Sequence, residues 1–94
     1  MKKNHDFKLI EGVFTPQDAK EVLISLYSSK LNFHEMKNFS SNERLGKNDE
    51  TSTKRIPELK KSILDITEII ENAVKKKRKL ILTAVVNIQV TDSK

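Results

Sequence analysis

Between Ile56 and Ala73 the apolar residues return at alternating intervals of three and four: Ile56, Leu59, Ile63, Ile66, Ile70 and Ala73. That repeat keeps one seam along a helix, whereas a strand, alternating every two residues, would scatter the six over both faces. Leu64, Ile69 and Val74 fall outside the seam and widen the apolar surface, so this helix is expected to meet more than one partner surface. Glu71 and Lys75 form an i,i+4 pair on the remaining polar side. At Leu80 the period changes to two. Leu80, Leu82, Ala84, Val86, Ile88 and Val90 share one face, and Ile81, Thr83, Val85, Asn87, Gln89 and Thr91 grade from apolar to polar on the other. A strand from Leu80 to Thr91 follows, about 40 Å long at ~3.3 Å per residue.

The first half of the chain is less regular. Phe7 to Phe14 alternates imperfectly, with Phe7, Leu9 and Val13 beside Glu11 on one face and Ile10 and Phe14 on the other. This reads as a first strand, in which Gly12 is either a bulge or a tolerated weak position. Thr15-Pro16-Gln17-Asp18 then starts a helix: the Thr15 hydroxyl can cap it, proline suits the first helical position, and Asp18 meets the positive end of the dipole. Phe14 and Ala19 are placed as a hydrophobic staple. Ala19, Val22, Leu23, Leu26 and Tyr27 form its core stripe. Leu31, Phe33, Met36 and Phe39 continue it either as one helix to about residue 39 or as a second piece after a break at 29–32. Phe33, Met36 and Phe39 are expected to be core or interface residues rather than a ligand cage.

Residues 40–50, rich in Ser, Asn, Gly and Asp without an apolar period, are expected to form a polar interhelical loop. Arg44 and Gly46-Lys47 lack the strand, the further glycines and the Lys-Ser/Thr ending of a phosphate cradle. The second helix should begin between Thr51 and Pro57, capped by Ser52 or Thr53, with Pro57 inside the first turn, where its missing N–H costs nothing.

Strand, helix, helix, strand predicts an α+β domain over residues 1–94: a two-stranded antiparallel sheet packed against a helical hairpin, with frayed ends at 1–5 and 92–94. A chain of 94 residues buries only roughly 60 to 65 % of its unfolded surface, and two strands are marginal even with helices behind them. Self-association is therefore expected, most simply a two-fold dimer that extends the sheet or pairs the long helices. Leu64, Ile69, Val74, Ile81 and Val85 are the candidate interface residues.

Charge opens one alternative. Residues 1–50 carry eight basic and eight acidic side chains, and residues 51–94 carry ten and five, so the net +5 resides in the second half. Lys75, Lys76, Lys77, Arg78 and Lys79 exceed what a helix C-terminus needs for its dipole and are candidate anion or nucleic-acid contacts, with Lys54, Arg55, Lys60 and Lys61 adding charge at the helix start. Against this, fifteen of the eighteen basic residues are Lys rather than Arg, and the four Phe and one Tyr, mostly at positions assigned to the core, offer no visible stacking platform. An apolar anchor for anionic lipid is missing too.

Catalysis finds little support. The absence of Cys excludes disulfides and thiolate chemistry. His5 and His34 have no second His at metal-ligand spacing, Ser25, Ser28 and Ser29 lie on a helix rather than a nucleophile elbow, and Glu11 is more simply a strand carboxylate with a Lys partner. No cofactor is expected. Without an apolar leader or a membrane-spanning run, a cytoplasmic location follows. The sequence thus points to a small non-enzymatic interaction or structural protein acting as a homo-oligomer, with nucleic-acid binding through the basic run as the alternative.

Overall fold

Each periodic stretch becomes one element. The computed structural model describes residues 3–92, in which β1 (Lys3–Phe14), α1 (Pro16–Leu45), α2 (Glu50–Lys75) and β2 (Leu80–Val90) follow one another. The strands pair antiparallel as a two-stranded sheet, and the helices form the hairpin packed with it. The seam of α2 closes on α1: Leu59, Ile70 and Ala73 are buried, Ile56, Ile63 and Ile66 half-buried, and Ala19 of α1 fully buried.

Helix α1 starts as its residues dictate. Thr15 accepts a hydrogen bond from the Asp18 N–H at 3.2 Å, and Pro16 opens the first turn. No break occurs at 29–32, and the helix runs through the polar stretch to Leu45, where Gly46 (φ 68°) ends it in the left-handed conformation. The expected loop at 40–50 therefore shrinks to residues 46–49. Its polar residues are helical because their side chains fasten the turn from within α1. Ser41 Oγ donates to the Lys47 carbonyl (2.8 Å), Asn42 Nδ2 to Asn48 Oδ1 (2.7 Å), and the Asp49 N–H donates to Asn38 Oδ1 (2.8 Å).

Asp49, rather than Ser52 or Thr53, caps α2 by accepting from the Ser52 N–H at 2.9 Å. Ser52 is thereby turned inward, fully buried, with its hydroxyl 3.0 Å from Nδ1 of the buried His34. Early capping also places Pro57 inside the helix, not in its first turn. Burial, with Lys30, Arg55 and Lys37 nearby, lowers the His34 pKa from 6.5, and Asp49 only partly opposes this. The imidazole is thus harder to protonate in the folded state, and the unfolded chain takes up that proton first. Stability is expected to decline as pH falls below 6.5 and to level off once the folded imidazole also protonates. Urea unfolding across pH 4.5–8 checks this, and His34→Gln should flatten that part of the profile. Asp49 adds a second, more acidic loss. Hydrogen bonds from Ser52 hold its carboxyl below 3.8, so its contribution fades as pH falls through that lower range.

The basic run spans the exit of α2. Lys76 is the C-cap, Lys77 adopts φ 54°, and the Arg78 N–H returns to the Ala73 carbonyl (2.9 Å) while the Lys77 N–H returns to Val74 (3.1 Å). This is a Schellman turn with lysine where glycine is usual. Lys77→Gly is expected to raise stability by about 1 kcal/mol, measured as a higher urea midpoint.

Candidate interaction surface

The faces of the ribbon follow from its register. Phe14 lies opposite Leu80, Gly12 opposite Leu82 and Ile10 opposite Ala84; the ladder then slips at Leu9, so that Lys8 meets Val85, Phe7 meets Val86 and His5 meets Ile88. The irregularity sits at Leu9 and not at Gly12. One extra residue reverses the phase. Phe7 consequently joins Ile10 and Phe14 on the face toward the helices, although simple alternation groups it with Val13. Residues 3–5, expected to fray, pair with Ile88, Gln89 and Val90 because β2 is long enough to hold them. The remaining terminal residues 1–2 and 93–94 lie outside the described residues.

The hairpin covers only half of that face. At the end next to the helices, Ile10 is buried and Gly12, Phe14, Leu80, Leu82 and Ala84 are half-buried. Beyond Ala84 the same face carries Phe7, Val86, Ile88 and Val90, between 40 % and 55 % exposed. The opposite face exposes Val13, Ile81 and Val85 and is otherwise polar. There Lys8 and Glu11 form an exposed ion pair at 2.8 Å, and Asn87 hydrogen-bonds Asp6.

The shape is correspondingly open. The radius of gyration is 16.9 Å, against about 12 Å for a compact domain of this length. The accessible surface is 7765 Å², whereas a folded monomer of 10.8 kDa has about 5,500 Å².

The candidate interface residues do not form one patch. Ile81 and Val85 share the outer face of β2. Leu64, Ile69 and Val74 are more than half exposed, but successive members lie about 140° apart around α2 at 100° per residue. Val74 alone enters a groove between the helices, with Pro16 and Ile70. Phe33, Met36 and Phe39 are also exposed, on the side of α1 away from the α2 seam, where Lys30 and Lys37 lie over the Phe33 ring. Sequence periodicity missed the bare inner half of the ribbon, because alternation marks both halves alike and only the placement of the helices against the sheet separates them.

Lys77, Arg78 and Lys79 line a shallow groove with Thr15, Pro16 and Gln17 at the start of α1. The other basic cluster stays apart, since the unbroken rise of α2 from Lys54 to Lys75 is about 30 Å. Within it Arg55 pairs with Glu58 and Lys61 with Asp65. Among the described residues no three His, Cys, Asp or Glu side chains group to hold a metal ion, and no helix is long and apolar enough to cross a membrane. Comparison with protein-family models, curated proteins and solved structures gave no match.

Proposed function

We propose that this chain is a small non-enzymatic interaction protein that works as a homo-oligomer, with the ribbon as its joining surface. The observation that carries the reading is the half-covered apolar face: four apolar side chains continue a core face past the part that the chain's own helices cover. The excess of about 2,000 Å² per chain over a compact monomer is more than the ~800 Å² that each partner contributes to a standard-size interface, so it leaves room for one. Light scattering after size exclusion tests it. A mass of twice 10.8 kDa, unchanged between low and high salt, is the expected result, and a monomer up to high micromolar concentration would reject it.

The groove that unites Lys77, Arg78 and Lys79 with the start of α1 favours a second reading, nucleic-acid binding. Its signature would be affinity for duplex or single-stranded probes that falls steeply with salt and weakens on Arg78→Ala. Under the first reading, fluorescence anisotropy at physiological salt shows no such binding.

A further inference from the structure

Resting on the homo-oligomer reading, we infer that the partner is a second copy joined edge to edge through β2, forming a four-stranded sheet in the order β1-β2-β2-β1 about a two-fold axis through Val85. The two edges of the ribbon differ. β1 carries the slip at Leu9 and the charged side chains Asp6, Lys8 and Glu11, features that discourage edge pairing. β2, Leu80-Ile81-Leu82-Thr83-Ala84-Val85-Val86-Asn87-Ile88-Gln89-Val90, has no charged residue in eleven. It is the edge open to a strand.

Geometry then fixes the register. In an antiparallel pair, opposing residues point to the same side of the sheet, so a two-fold axis normal to the sheet must pass through a residue rather than between two. Centring it on Val85 pairs all of Leu80–Val90, and shifting it to Ala84 or Val86 shortens the ladder. On the inner face, Leu80 then opposes the partner's Val90, Leu82 the partner's Ile88, and Ala84 the partner's Val86. Every pair is apolar. The axis also sets the helix-covered half of each ribbon beside the bare half of the other, so that Val86, Ile88 and Val90, exposed in one chain, pack against side chains the partner's hairpin shelters. On the outer face Thr83 meets the partner's Asn87, a polar pair, and Val85 meets its own copy.

The absence of native Cys gives a clean test. Val85→Cys, treated with a short bis-maleimide, is expected to crosslink nearly completely to a covalent dimer, and Lys8→Cys, on the neighbouring strand, hardly at all. Ile88→Lys is expected to shift the mass to a monomer while far-UV circular dichroism keeps the helical signal, since Ile88 is 46 % exposed in the single chain. A dimer by mass that crosslinks through Lys8→Cys and not Val85→Cys, or that survives Ile88→Lys, overturns the β2 junction and leaves the homo-oligomer reading standing. A monomeric wild-type chain overturns both.

Discussion

Leu59→Ala is expected to lower the free energy of unfolding by about 3 kcal/mol, seen in urea as an earlier midpoint with an unchanged slope. Leu59 is 2 % exposed, and among the described residues the other buried apolar side chains are Ile10, Ala19, Ile70 and Ala73. Leu59 lines a hollow with Ile10, Leu23, Leu26 and Tyr27, so truncation enlarges a space that is already incompletely filled. Small domains have a net stability of only about 5–10 kcal/mol, so this one truncation would remove a large share of it. Leu64→Ala in the same helix is the comparison. Leu64 is 69 % exposed, and its loss should cost less than about 0.5 kcal/mol. Equal costs at the two positions would mean that the seam of α2 faces a different direction.

Pro57→Ala is expected to act in the opposite sense, raising stability by up to about 3 kcal/mol, the difference between proline and alanine in a helix interior. Counting from Glu50, Pro57 is the eighth residue of α2, past the first turn whose N–H groups lack partners. Its ring cannot donate to the Thr53 carbonyl, and alanine restores that bond. The position is exposed, so little packing is lost in exchange. Thermal unfolding followed by circular dichroism gives the sign directly. A lower midpoint in Pro57→Ala would show that the proline fits its site without strain and helps by stiffening the unfolded chain.

These two neighbouring positions also show what the sequence could reveal. The seam containing Leu59 was legible because the 3.6-residue period persists across it, and the Thr15-Pro16 start was legible because a cap is a local interaction. The start of α2 was not. Asp49, Ser52 and Thr53 are all competent caps, and the choice among them depends on His34 and Asn38, distant in sequence, which draw Ser52 inward and bind the Asp49 N–H. Once Asp49 caps the helix, Pro57 is carried into its interior. Ser41 and Asn42 misled for a related reason: residues that favour loops also serve on a helix whose end they tie down. In the ribbon, Phe7 could not be placed on its face from alternation alone, because the slip at Leu9 is set by pairing with β2.

The slip at Leu9 also bears on how far growth could proceed. A protein that joins through its sheet edges resembles a monomer in a polymerisation: two equally reactive ends give an open chain, and one reactive end gives a pair. In the proposed β1-β2-β2-β1 sheet β2 would be consumed at the centre and both outer strands would be β1, irregular at Leu9 and bearing Asp6, Lys8 and Glu11. In that assembly each copy would bring its own chain terminator, and raising the concentration should fill the population of pairs without starting fibres.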